Sequence, residues 1–282
     1  MVEYTYIDNN EKVIDFQKYL YEKRISKIAM DFEGEYNLHS YGEKLCLIQI
    51  YDKERYFIID PLRIDESEII NTLNNYKIVK YMYGIGSDMH LFYRQYGKKL
   101  INIYDQKCLV DVLNFENSGL DDVIKLLFGI ENKHKKKYQT YNWQERPLKK
   151  DAIIYALNDV KYLFEINKIL MERIINENKV NDLIFRIIKN DPDFVKEKTP
   201  LIFKKKEYRE LSKNKKQKFI KIYEVREHFA KLLNKSPNNI LENKVLFDII
   251  NQEISLDTIR FNKGISKNNR IEIINKLRGA LG

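Results

Sequence analysis

Lys27-Ile28-Ala29-Met30-Asp31-Phe32, Leu45-Cys46-Leu47-Ile48-Gln49-Ile50-Tyr51 and Tyr56-Phe57-Ile58-Ile59 are three apolar runs separated by polar residues. Each is short and rich in branched and aromatic side chains. The turn Asp52-Lys53-Glu54 joins the last two, so the stretch predicts an antiparallel meander of three strands. Apolar residues recur at helical spacing over 11–22, before the meander. After it, strands are expected at 77–81 and 101–104. Helices are expected at 69–73, 87–96, 109–113, 121–128 and 148–175, with Pro147 suited to the first turn of the last. The order β-β-β-α-β-α-β-α describes a mixed sheet flanked by helices, an α/β fold.

From about residue 211 the pattern is helical throughout. Phe219, Ile222, Tyr223, Phe229 and Leu232, then Leu241, Val245 and Ile249, then Ile271, Ile274 and Leu277 mark four or five short helices in a small all-α bundle. The polar stretch between, with Pro192 and Pro200, reads as a linker. Residues 1–190 are therefore expected to form one domain, 191–210 the linker and 211–282 a second domain. Charge divides at the same place. Residues 196–282 hold 21 Lys and Arg against 10 Asp and Glu, a net of +11, while 1–195 carry 29 against 31. A concentrated basic module suits a polyanionic partner such as nucleic acid, and equally a solvated lysine-rich surface.

Of the 282 residues, 44% are apolar and 32% charged, as in a globular chain. No apolar run approaches the ~18 residues of a membrane span, and the first residues lack a secretory pattern. Cys46 and Cys108 are far apart inside apolar stretches, so they read as buried thiols in a reducing, cytoplasmic setting. Collagen, coiled coil, disulfide scaffold and membrane protein are excluded.

Four acids stand out by position. Asp31 and Glu33 are two apart on a strand and point to one face, where two adjacent carboxylates repel unless a cation sits between them. Asp88 follows Gly84-Ile85-Gly86-Ser87, in the first turn of a helix. Tyr155 and Asp159 are one turn apart on the 148–175 helix, beside a core stripe of Ile153, Leu157, Val160 and Phe164. Each element is weak alone, since Asp-x-Glu and Tyr-x-x-x-Asp both occur elsewhere in the chain. In this order they are specific. Four carboxylates match the four positive charges of two divalent ions, and hard oxygen ligands select Mg²⁺ or Mn²⁺. The four histidines show no zinc spacing.

On these residues the sequence resembles ribonuclease D, in the tyrosine subclass of the DEDD superfamily of 3′–5′ exonucleases. Ile28-Ala29-Met30-Asp31-Phe32-Glu33 is similar to the first motif, Gly84-Ile85-Gly86-Ser87-Asp88 to the second, and Tyr155-Ala156-Leu157-Asn158-Asp159 to the third. Trp143-Gln144-Glu145-Arg146-Pro147-Leu148 resembles the run leading into the third motif, and Asp105 the aspartate that opens the family's next helix. In the tail, Tyr223-Glu224-Val225-Arg226-Glu227-His228-Phe229-Ala230, Asn234-Lys235-Ser236-Pro237 and Leu241-Glu242-Asn243-Lys244-Val245-Leu246 look like the helicase-and-RNase-D C-terminal (HRDC) module.

The resemblance implies a ribonuclease-H-like exonuclease domain followed by one HRDC-like nucleic-acid-binding bundle. It implies a metal-dependent exoribonuclease that releases 5′-mononucleotides from RNA 3′ ends, with tRNA precursors as the natural substrate class. Asp31, Glu33, Asp88 and Asp159 would hold two Mg²⁺ or Mn²⁺ ions, and the Tyr155 hydroxyl would aim the attacking water. Phe32 is a candidate for stacking on the terminal nucleotide, or else a core residue. Lys133, Lys135, Lys136 and Lys137 could contact phosphate or form a solvated loop. The rivals are a catalytically silent RNA-binding scaffold and a 3′–5′ DNA exonuclease.

Overall fold

The computed structural model describes residues 2–132, 135–189 and 199–282. Lys133 and the first part of the expected linker, through residue 198, lie outside the described residues. The chain divides into two compact units. One comprises Met1–Glu35 and Glu43–Lys196, the other Tyr36–Gly42 and Glu197–Gly282.

The first unit runs β1 (Tyr4–Ile7), α1 (Asn10–Glu22), β2 (Lys27–Tyr36), β3 (Glu43–Tyr51), β4 (Tyr56–Ile59), α2 (Glu66–Leu73), β5 (Val79–Met82), α3 (Gly86–Tyr96) and β6 (Ile103–Asp105). Then come α4 (Lys107–Val112), α5 (Leu120–Phe128), α6 (Lys135–Gln139), α7 (Lys150–Lys161), α8 (Leu163–Asn176) and α9 (Val180–Lys189). The sheet has the order β1-β4-β3-β2-β5-β6. β3 and β4 pair antiparallel, whereas β1–β4, β2–β5 and β5–β6 pair parallel, so the expected mixed sheet is present.

Strand alternation sorts the core. Ile28, Met30 and Phe32 of β2, with Ile48 and Ile50 of β3, pack against Val13 and Phe16 of α1, Leu73 of α2 and Phe92 of α3. On the other face Ala29 meets Leu109 of α4 and Val160, Phe164 and Leu170 of α7 and α8. Cys46, Leu47 and Ile58 bury against Ile153, Ala156 and Leu157 of α7. Helices thus cover both faces.

Three sequence expectations are corrected. β1 is absent from the sequence reading, because Tyr4-Thr5-Tyr6-Ile7 is half polar. It is held by its parallel register with β4, from Tyr4 opposite Tyr56 to Ile7 opposite Ile59. The single helix expected over 148–175 is two. At Tyr162 the N–H bonds to the Val160 carbonyl, only two residues back, and a new helix starts at Leu163. Pro147 precedes α7 rather than opening it, since α7 begins at Lys150.

The second unit carries α10 (Lys206–Arg209), α11 (Lys213–Leu232), α12 (Pro237–Ile240), α13 (Asn243–Asn251) and α14 (Lys267–Leu281), with 3₁₀ turns at Leu201–Lys204 and Leu256–Thr258. Phe219, Ile222, Phe229, Leu246, Ile273 and Leu277 form its core. Ser212 and Ser266 accept backbone N–H bonds at the starts of α11 and α14. Arg226 is buried, and its guanidinium donates to Glu227 and to Asn243 Oδ1 at 2.7 Å, which ties α11 to the start of α13. Among the described residues no helix is long and apolar enough to cross a membrane.

Candidate active site

β2 continues to Tyr36, so Asp31 and Glu33 stand in the middle of a strand rather than at its end. Both share the face of Ala29, on the side of α4, α7 and α8. Phe32, between them, must point the opposite way. It is 5% exposed and its ring lies 6.4 Å from that of Phe92. Phe32 is therefore a core residue and not a stacking surface for a nucleotide.

β5 runs parallel to β2, with Lys27 opposite Val79 and Ala29 opposite Tyr81, so β5 stops at Met82, level with the residue before Asp31, while β2 continues to Tyr36. Beyond β5 the chain turns through Gly84 at φ +70°, a left-handed conformation that suits glycine. The Gly84 N–H donates to Asp105 Oδ1 at 2.7 Å, and the Lys107 N–H donates to the same oxygen at 3.0 Å. Asp105 thereby holds the turn that starts α3, and α3 presents Asp88 in its first turn, buried at 8% exposure.

α7 supplies Tyr155 and Asp159. Its Ala152, Ile153, Ala156, Leu157 and Val160 are buried, which leaves Tyr155 and Asp159 half-buried on the adjacent face. The approach to α7 is pinned by Arg146. Its Nε and Nη2 donate to the two carboxylate oxygens of Asp60, at 2.6 and 2.8 Å, just beyond β4. Nη2 also reaches the Cys46 carbonyl of β3 at 2.7 Å, and Nη1 the Trp143 carbonyl at 2.7 Å. Gln144 Nε2 donates to the buried Glu35 of β2 at 3.2 Å.

These groups act on one another's charge. Burial raises the Glu33 carboxyl well above the usual range, and Asp159, Asp31 and Asp88 push it further. Burial also raises Asp88, with Asp31 and Asp105 adding to it. Asp31 keeps some exposed surface, yet the protein packed round it lifts its carboxyl to about 7. The Tyr155 hydroxyl is raised by burial and then by Asp159 and Glu33, so it keeps its proton at neutral pH. Each of the five expected residues is thus an electrostatic neighbour of another. Phe32 alone of the candidates stands apart.

In kind, this donor set suits a hard divalent cation: four carboxylates, with Asp159, Asp31 and Asp88 all adding to the field on Glu33. Among the described residues no three Asp, Glu, His or Cys side chains are already closed round a common point. Carboxylates repel at short range, and drawing them to coordination distance takes positive charge. Two clefts flank the face of α7 that bears Tyr155 and Asp159. One of about 290 Å³ is lined by Tyr155, Asn158, Tyr138 and Lys137. The other, about 260 Å³, is lined by Asp159, Asn158 and Asp121.

The sequence reading missed two neighbours. Asp121, in the first turn of α5, adds to the field on Tyr155, but an acid at a helix start has no distinctive spacing. Tyr138 stacks on Tyr155, and its only signal was a lone aromatic residue beside a lysine run.

A family model described as 3′–5′ exonuclease matches residues 4–175, more than half of the chain. Exosome complex component 10 of Mus musculus is 31% identical over 165 residues, 57% of this chain and 17% of that protein. Ribonuclease D of Haemophilus influenzae is 31% identical over 147 residues, 51% of this chain and 36% of that protein. The matched part is thus well under half the length of either relative. The crystal structure of the catalytic core of RRP6 from Trypanosoma brucei has the same fold, with a TM-score of 0.80 over 100% of this chain and 80% of that one, at 20% identity. The family match runs from β1 into α8 and takes in every strand and every member of the acid cluster, so this chain belongs to the 3′–5′ exonuclease family.

Proposed function

We propose that this chain is a metal-dependent 3′–5′ exoribonuclease of the ribonuclease D type, which removes 5′-mononucleotides one at a time from RNA 3′ ends. The observation that carries this reading is the mutual electrostatic influence of Asp31, Glu33, Asp88 and Asp159, which also acts on a protonated Tyr155. Asp31, Glu33, Asp88 and Asp159 would hold two Mg²⁺ or Mn²⁺ ions. When bound, such ions supply Lewis acidity that offsets charge building on the phosphate during in-line displacement. The chain's own groups do the rest. The Tyr155 hydroxyl, with its proton kept in place, hydrogen-bonds the attacking water and fixes its line of approach. The cleft lined by Tyr155 gives the 3′-terminal nucleotide room next to that hydroxyl, and the other lies beside Asp159.

The helical unit, in this reading, is an HRDC-like module whose basic surface adds sequence-independent affinity for RNA. Support comes from its five helices and from the +11 carried by 196–282. The natural substrate class is the tRNA precursor 3′ end, as the ribonuclease D resemblance implies. The thiols of Cys46 and Cys108, buried and outside any disulfide, support a reducing, cytoplasmic setting.

The test is product analysis on a 3′-tailed tRNA-like RNA, 5′-labelled, with Mg²⁺, Mn²⁺ or EDTA. A ladder shortened by single nucleotides, 5′-mononucleotide product and loss of activity in EDTA are expected. Asp159→Ala should lower turnover by roughly a thousandfold with the fold unchanged. RNA bound but left intact in both metals would instead identify a silent RNA-binding relative. A single-stranded DNA end cut faster than the RNA end would identify a DNA exonuclease.

A further inference from the structure

α6 is a five-residue helix, and among its described side chains Lys136, Lys137 and Gln139 are exposed while Tyr138 alone is buried, at 4% exposure. Tyr138 belongs to the apolar cluster of Cys46, Leu47, Trp143, Ala152 and Leu157, and it also meets Tyr155. The Tyr138 ring lies flat on Tyr155, with centroids 4.5 Å apart and an interplanar angle of 28°. Trp143 closes the group, 6.4 Å from each ring, and Tyr141 meets Trp143 edge-on at 4.9 Å. Offset stacking at this separation is a favourable aromatic geometry. Tyr138 is fixed in turn. Lys137 Nζ donates to its hydroxyl at 3.2 Å and lies 4.8 Å from its ring centroid. The Tyr141 N–H donates to its carbonyl at 3.2 Å.

Tyr155 needs such a support. It is half-buried on α7 and lines the cleft of about 290 Å³ together with Tyr138. A phenol there has two torsions to fix before its hydroxyl can hold a water in line with a phosphate. Burial of the Tyr155 backbone in α7 does not fix the ring. The ring of Tyr138 from α6 is stacked against it.

We propose that Tyr138 is a positioning residue for Tyr155: it clamps the Tyr155 ring from the α6 side so that the hydroxyl meets the attacking water in one orientation. Tyr138 acts through Tyr155 and touches no reacting atom. The inference rests on the exonuclease reading above for the role of Tyr155, and on the ring geometry alone for the clamp.

Full-length chains bearing Tyr138→Phe and Tyr138→Leu test it by single-nucleotide release from RNA and by fluorine NMR after 3-fluorotyrosine incorporation. The Tyr155 line is identified as the one missing in Tyr155→Phe. Tyr138→Phe keeps the stacked ring and is expected to lower kcat much less than Tyr138→Leu does. Tyr138→Leu is expected to lower kcat roughly tenfold with KM within about twofold, and to shift and broaden the Tyr155 line. Where Leu prevents folding, Tyr138→Met is read in the same way. On a Tyr155→Phe background, Tyr138→Leu should cost less than about twofold, because there is no hydroxyl left to aim. A merely structural role would cost the same factor on both backgrounds, and that result overturns the proposal, as does a raised KM with kcat unchanged. If the wild-type chain releases no nucleotide, the exonuclease reading fails. The fluorine line then decides the clamp alone, and a Tyr155 line unmoved by Tyr138→Leu overturns it.

Discussion

Asp31 occupies a position where burial favours its neutral form, and the ordinary value of 3.8 rises to about 7. The native chain therefore holds this proton between those pH values while the unfolded chain has released it. In that window the native state binds more protons, so stability falls as pH rises. The metal-free chain is expected to melt several degrees lower at pH 8 than at pH 5. Asp31→Asn should raise the pH 8 melting temperature in EDTA and shrink the difference; calorimetry that finds the full pH slope in the variant contradicts this. Period-2 geometry made Asp31 and Glu33 legible as a pair, because residues two apart on a strand share a face. The same rule turns Phe32 away from them, a constraint that composition and motif likeness do not weigh. Asp121 and Tyr138 were not legible, since they join the site through space and neither has a fixed spacing to Tyr155.

Elements set the site by where they begin. α7 starts after a loop that Arg146 binds to β3 and β4, through Asp60 and the Cys46 carbonyl. Asp60 is fully buried and also accepts from the Tyr6 hydroxyl at 3.0 Å. Removing Arg146 takes the bidentate partner from the buried Asp60 charge and leaves it facing the half-exposed Arg63 at 3.8 Å. Arg146→Met is expected to cost about 3 kcal/mol in urea unfolding and to lower turnover as α7 shifts. A loss under ~1 kcal/mol would show that the pair is dispensable. The turn into α3 makes a second case. Gly84 has φ +70°, and a Cβ there would meet only Lys107 Cδ at 3.8 Å. Strain and not crowding therefore governs Gly84→Ala, with an expected cost of about 1 kcal/mol. Most of the sheet could be read from its apolar runs. β1 could not, because its pairing with β4 is supplied by the rest of the sheet. The break at Tyr162 carries no glycine or proline, so no local residue announces it.

At the scale of the molecule, the shift in charge near residue 196 was readable, and the second unit is helical as the periodicity suggested. The assignment of Tyr36–Gly42 to that unit was not readable, because the end of β2 and the six residues before β3 look like any hairpin connection. The basic unit makes a quantitative prediction. Lys213, Lys221 and Lys231 are exposed on α11. Changing all three to Gln should weaken RNA binding and reduce the slope of log K against log salt by up to about 2, at ~0.7 per phosphate contact on single strands. An unchanged slope in filter-binding titrations would show that this face does not meet RNA. Cys46 and Cys108, buried in separate clusters of the first unit, give the molecule a built-in clock. Burial lifts the Cys46 thiol to about 12, and alkylation needs both thiolate and access. Iodoacetamide should modify the native chain only as fast as the unit opens, so the labelling rate of each cysteine reads how often its own layer of the fold comes apart.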